Sequence, residues 1–261
     1  MGPQSPLAGQ TSLVTGGSRG IGLAIARRLS AMGSKVAICG RDRDRLEESA
    51  ALLRREGAAV GAVLAVPADV AKAGDVARLV DRVTQELGPL DIVVNNAGIG
   101  VFGPGQDASE KDWDRVLGTN LKGVFLVCRA VAPGMIARRT GHIINISSLA
   151  GKNAFANGAV YCASKAAEKS ISEGLKIDLM GTSVRVTSID AGMVETDFSK
   201  VRFRGDEEKA AKIYQNITPL QPEDVAEAIV WAASRPPHVN IHNVLMTTID
   251  QANSTVFNRR G

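Results

Sequence analysis

Thr15-Gly16-Gly17-Ser18-Arg19-Gly20-Ile21-Gly22 stands between a short β-branched run at 12–15 and an amphipathic helical pattern at 21–32. Glycine accepts backbone conformations that other residues resist, and its missing side chain lets another group come close. A turn of this kind at the start of a helix offers backbone N–H groups and the positive end of the helix dipole to an anion. The order strand, glycine turn, helix therefore predicts the opening of a dinucleotide-binding βαβ unit, with a pyrophosphate over the turn. A simple glycine-rich connection is the competing reading. The remainder of the chain decides between them.

Six more short apolar runs resemble the first, at 35–39, 60–66, 92–95, 142–147, 184–189 and 243–247. Helical periodicity fills most of the gaps, at 43–56, 73–87, 113–138, 160–179, 206–214 and 222–234. Near-continuous apolar strands alternating with helices predict an α/β fold. Its form is a three-layer, Rossmann-type, doubly wound parallel sheet with helices on both faces. No linker, repeat or low-complexity tract interrupts the alternation, so a single domain over 1–261 is expected. In such sheets the ligand crevice lies beyond the carboxyl ends of the strands, and the chemical residues should fall there.

Composition narrows the function classes. With 44% hydrophobic and 22% charged residues the chain can bury a sizeable core without disulfides or metals. Its formal charge of +4 is spread among interleaved acids and bases, weak grounds for nucleic-acid binding. Cys39, Cys128 and Cys162 lie far apart and lack metal-ligand spacing, so reduced buried thiols and no metal are expected. Residues 1–9 carry no signal pattern and no run of about eighteen apolar residues occurs, which makes cytoplasm the expected location and a membrane partner unexpected.

Tyr161 and Lys165 stand at i and i+4 within a helical pattern, so their side chains share a face. An ammonium beside a phenol stabilises phenolate against the ordinary tyrosine value of about 10, which suits interconversion of an alcohol and a carbonyl. Taken alone, the spacing also describes a surface helix with a solvated lysine. At the tip of the second strand, where an acid would favour NAD, the chain has Gly40-Arg41 with Arg43 beyond, and Arg19 stands in the glycine turn. Guanidiniums without a carboxylate fit a 2′-phosphate and predict NADP(H). Pairing of Arg41 and Arg43 with Asp42, Asp44 or Glu47 is the other reading. Asp69, after the third strand, is placed either to accept from an adenine amino group or to cap a turn.

The glycine turn, Asn95-Asn96-Ala97-Gly98, Asn120, Ser148 and Tyr161-Cys162-Ala163-Ser164-Lys165 together resemble the short-chain dehydrogenase/reductase family over nearly the whole chain. The resemblance implies Tyr161 as acid/base, Lys165 as its partner and a ribose ligand, and Ser148, ahead of Ser147, as holder of the substrate oxygen. It implies that Asn120 helps hold a relay water. Gly16, Ser18, Arg19, Gly20, Ile21 and Gly22 would cradle the cofactor at one end. Arg41, Asp69, Val70, Asn96, Ala97 and Gly98 would line its path beyond that turn. Tyr161, Lys165, Gly192, Val194 and Thr196 would meet its nicotinamide half. Ala191 replaces the family's usual proline before Gly192.

Residues 196–206 and the segments 222–226, 237–241 and 250–252 resemble a subgroup that oxidises small 3-hydroxy acids such as serine, allo-threonine and 3-hydroxypropionate with NADP. Thr248-Ile249 departs from that subgroup's tail. A segment covering the substrate is expected at about 192–216, with Arg202, ahead of Arg204, pairing with the substrate carboxylate. A broad carbonyl reductase or a 3-oxoacyl carrier-protein reductase would use the same active site. A non-catalytic NADPH-binding protein would need none of the Asn, Ser, Tyr and Lys set. His142, Trp113 and Trp231 read as packed side chains. A homo-oligomer is implied, a tetramer ahead of a dimer.

Overall fold

The computed structural model describes residues 5–198, 208 and 212–260. Among them, strands Thr11–Thr15 (β1), Lys35–Gly40 (β2), Val63–Pro67 (β3), Ile92–Asn95 (β4), Gly141–Ser148 (β5), Val184–Ala191 (β6) and Asn243–Met246 (β7) form one sheet. The strand order is β3-β2-β1-β4-β5-β6-β7, and every neighbouring pair is parallel. Helices Gly20–Ala31 (α1), Arg43–Arg55 (α2), Ala73–Leu87 (α3), Glu110–Leu117 (α4), Gly123–Arg138 (α5), Ala159–Asp178 (α6) and Pro222–Ala233 (α7) connect them. The order reverses between β1 and β4, which opens a crevice at their carboxyl ends.

Side chains alternate across the pleat and so divide the apolar residues between two layers. Val14, Val36, Ile38, Val94, Ile144 and Ile189 pack against Ile25 and Leu29 of α1, Leu46 of α2 and Ile229 of α7. Leu13, Ala37, Cys39, Val93, Ile143 and Val186 pack against Leu79 and Val83 of α3 and Val127 of α5. Each fully buried Leu or Ile in these layers contributes about 1.5–3 kcal/mol. This two-sided burial is why the strands read as continuous apolar runs.

Several expectations are corrected. Val60 is fully exposed in a turn and β3 begins at Val63, because the glycine at 61, with φ of +75°, turns the chain ahead of it. The pattern at 113–138 is not one regular helix: a π-helical turn, Gly118–Lys122, separates α4 from α5. Trp113 and Trp231 are exposed rather than core anchors, and Trp231 carries the Arg235 guanidinium over its ring at 5.6 Å. Most of the expected helix at 206–214 lies outside the described residues. The stretch Glu110–Arg138 has the length and apolarity to cross a membrane. Its buried residues, among them Val124, Val127 and Val131, belong to the core under the sheet, as in the core helix of a globular domain. His142 is buried with Nε2 at 2.8 Å from Thr187 Oγ1, and burial lowers its pKa to about 3, so it packs as a neutral ring. The three thiols are buried and form no disulfide among the described residues.

Candidate active site

A cleft of about 690 Å³ opens at the carboxyl ends of the central strands. Gly16, Ser18, Arg19, Gly20, Ile21, Gly22, Arg41, Asp69 and Val70 line one end. Asn96, Ala97 and Gly98 form its middle, and Ser148, Tyr161, Lys165, Gly192, Val194 and Thr196 line the other end. The structure thus brings together every expected site residue except Asn120, which is buried behind the cleft, and Arg202, which lies outside the described residues together with Arg204.

The glycine end is built from backbone. Gly16 has φ of +64°, and a Cβ there would come within 3.0 Å of Ala97 Cα. At Gly22 a Cβ would stand 2.2 Å from the Gly16 carbonyl oxygen, so helix and turn can meet only through glycine. The turn is tied to β4 by Thr15 Oγ1, which accepts from the N–H groups of Asn96 and Ala97, both at 3.0 Å. Asn96 Nδ2 donates back to the Thr15 and Gly16 carbonyls at 2.9 and 3.2 Å. Arg19 and Arg41 are exposed at the cleft edge, and no ion pair occupies Arg41 or Arg43 among the described residues. Asp42 instead caps α2, accepting from Arg45 N–H at 3.1 Å. Asp69 lines the cleft, and its Oδ1 accepts from Ala71 N–H at 3.1 Å, the turn-capping bond. Burial pushes the Cys39 and Cys128 thiols up to about 12, which makes both poor nucleophiles.

The opposite end is built from side chains. Ser148 closes β5 half-exposed, its Oγ accepting from Ala150 N–H at 3.1 Å and donating to Ala191 O at 3.4 Å. Ser147 is buried and donates to Lys165 O, bracing α6 from behind. Tyr161 and Lys165 lie on the first two turns of α6. The Tyr161 ring packs between Phe102 and Phe198, with centroids at 5.4 and 5.7 Å, and Phe155 stacks on Phe102 at 6.0 Å. Lys165 Nζ donates to Ile146 O and to Glu168 Oε2, each at 2.7 Å. Burial opposes its charge, but Glu168 and Tyr161 outweigh burial and hold the Lys165 pKa above its ordinary value, so the side chain is an ammonium at neutral pH. Burial raises Glu168 to about 7 against the pull of Lys165.

Asn120 sits in the π-helical turn with no exposed surface. Its Oδ1 accepts from Ile99 N–H at 2.8 Å, and its Nδ2 donates to Ile99 O at 2.9 Å and Ser164 Oγ at 3.0 Å. The side chain pins the loop after β4 to α6, and both of its N–H donors are committed away from the cleft.

Sequence reading missed Glu168, the rings of Phe102, Phe155 and Phe198, and Gln251, whose Oε1 accepts from Met193 N–H at 2.8 Å. Only Glu168 had a local signal, since i and i+3 from Lys165 is an ion-pair spacing on a helix. The rings come from three separate segments and meet only in the folded chain.

The short chain dehydrogenase family model matches residues 10–207. The chain is 44% identical to the NADP-dependent 3-hydroxy acid dehydrogenase of Salmonella typhi over 242 residues, 92% of this chain and 95% of that protein. It is 43% identical over 243 residues to the protein of the same name from Escherichia coli K12, again 92% and 95% of the two chains. Among solved structures, the closed form of serine dehydrogenase complexed with NADP+ superimposes with a TM-score of 0.88 at 41% identity, covering 97% of this chain and all 100% of that one.

Proposed function

The chain belongs to the short chain dehydrogenase family, and from that premise we propose that it interconverts a small 3-hydroxy acid and its oxo form with NADP(H). The observation that carries this reading is one cleft holding a glycine cradle at one end and Ser148, Tyr161 and a buried charged Lys165 at the other. The cradle fits a pyrophosphate, because glycine at 16 and 22 lets the turn close on the N-terminus of α1, and both residues line the cleft. Arg19 and Arg41 at the rim fit a 2′-phosphate. Both functions belong to one domain in this reading, with 192–216 covering the substrate.

When bound, NADP(H) supplies or accepts the hydride. The Ser148 and Tyr161 hydroxyls hold the substrate oxygen, donating to it as negative charge grows there during reduction. Tyr161 then delivers its proton to that oxygen, and takes it back in the oxidative direction. The Lys165 ammonium sits behind the phenol, and its field assists departure of the proton. Asn120 acts at one remove, by fixing the loop at Ile99 against α6. Arg202 is assigned the substrate carboxylate on the chemistry of paired guanidinium–carboxylate bonds alone.

A second reading, a reductase of larger apolar ketones, is favoured by one observation: the described wall around Tyr161 is aromatic, from Phe102, Phe155 and Phe198. A substrate panel separates the two, run with both cofactors by absorbance of the reduced nicotinamide on wild type and Arg202→Ala. We expect NADP-linked turnover of serine or 3-hydroxypropionate, with a KM at least roughly tenfold higher in Arg202→Ala, the loss of a charge-assisted pair. Turnover confined to apolar ketones would favour the second reading. Absence of nicotinamide-linked turnover on every alcohol and carbonyl would overturn both.

A homo-oligomer, tetramer ahead of dimer, and a cytoplasmic location complete the proposal. The exposed apolar side chains of Phe125, Leu245, Ile249 and Val256 support the first.

A further inference from the structure

Glu168 is a buried charge to which the proposed reaction gives no task. It has 1% relative exposure and lies on α6, one turn beyond Lys165, with Oε2 at 2.7 Å from the Lys165 ammonium. Its other oxygen, Oε1, is buried and has no hydrogen-bond partner. The nearby donors are committed elsewhere. Asn95 Nδ2 donates to Asn145 Oδ1 and Cys128 Sγ, Asn145 Nδ2 donates to Ser172 Oγ, and Ser172 Oγ donates to the Glu168 backbone carbonyl. A buried carboxylate oxygen with no protein donor is costly, whereas a buried ammonium without a counter-charge is costlier still. The two demands oppose each other on a single carboxyl group.

The charged and titratable groups facing Glu168 come from three elements. Lys165 on its own helix favours the ionised form. Asp190, on β6, disfavours it, although Lys169 partly neutralises Asp190 at 2.8 Å. The Cys128 thiol, on α5, feels the Glu168 charge and is itself held protonated by burial. Lys165 has three N–H donors. Ile146 O and Glu168 take two of them and leave the third for the cleft side, where Nζ lies within van der Waals reach of a Cβ placed on Gly98.

We propose that Glu168 is a positioning residue that keeps the Lys165 ammonium charged and aimed at the cleft, and that its protonation switches this support off. The inference rests on the dehydrogenase reading. At pH values higher than its midpoint Glu168 is ionised and Lys165 is anchored. As pH falls through that midpoint, close to 7 through burial, Lys165 loses its counter-ion and Tyr161 loses a fixed positive neighbour. Turnover should then fall.

The test is kcat for reduction against pH, at saturating NADPH and substrate, for wild type, Glu168→Gln and Glu168→Asp. Wild type should show an acid limb near neutrality. Glu168→Gln should lose that limb and about five- to tenfold of kcat at neutral pH, the effect of losing electrostatic support equivalent to roughly one pKa unit. Glu168→Asp should keep a limb at a shifted midpoint. Infrared difference spectra of the wild type between acid and neutral pH, with glutamate isotope-labelled, should show a carboxyl band that forms in the same range. An acid limb that persists in Glu168→Gln would overturn the proposal. So would a wild type showing no carboxyl protonation across that range, a result that needs no folded variant. No turnover in any form would instead sink the dehydrogenase reading, while the infrared titration still judged Glu168.

Discussion

The two ends of the cleft are built from different materials. At the glycine end the groups proposed to meet the cofactor are main-chain amides, set by glycines whose neighbours leave no room for a Cβ. At the tyrosine end they are side chains, and the charge on one of them is supported against burial by a second buried charge 2.7 Å away. Backbone recognition is fixed by shape and carries no ionisation. Side-chain chemistry is tunable, and it imports the energetic cost of desolvating charge. A mutation should therefore damage binding at one end and turnover at the other.

The sharpest break between them comes from Tyr161→Phe, which removes one oxygen from the tyrosine end and leaves the ring packing among Phe102 and Phe198. Its kcat should fall by about 10²–10⁴, the usual reach of a positioned acid/base, while NADPH affinity measured by fluorescence stays close to wild type. Comparable loss of affinity would mean the ends are not separable. Gly22→Ala is the converse: its Cβ would collide with the Gly16 carbonyl, so the turn must move. Stability should drop by about 1–3 kcal/mol in denaturant melts. NADPH should bind at least roughly tenfold more weakly as the amides lose their aim, and an unaltered titration would contradict the backbone cradle. The mildest case is Arg41→Asp, a side-chain change at the backbone-built end. Preference for NADP over NAD in kcat/KM should fall about tenfold, roughly one charge-assisted hydrogen bond, and a constant ratio would leave Arg41 without a role.

The same contrast explains what could be read from sequence. The glycine turn, the strand ends and the tyrosine–lysine spacing are local, so each shows itself within a few residues. All seven strands overlap their expected positions, and the misreadings cluster where a local rule was overridden: Val60 by a glycine turn, 113–138 by a π turn. Asn120 was legible as a site residue but not as a bracket, because its partners Ile99 and Ser164 lie 21 and 44 residues away. The aromatic wall was invisible for the same reason. The two tryptophans were misjudged because bulk and apolarity say nothing of which helix face meets the sheet.

Gln251 gives the loop after β6 a remote latch. Its side-chain oxygen takes the Met193 N–H and fills the volume that any side chain at position 192 would claim. Residues 58 positions apart thus form one mechanical part, and transplanting the loop into a related scaffold without the stretch beyond β7 would deliver it unfastened. Efforts to re-engineer the loop after β6 have to treat the two segments as a single exchangeable cassette.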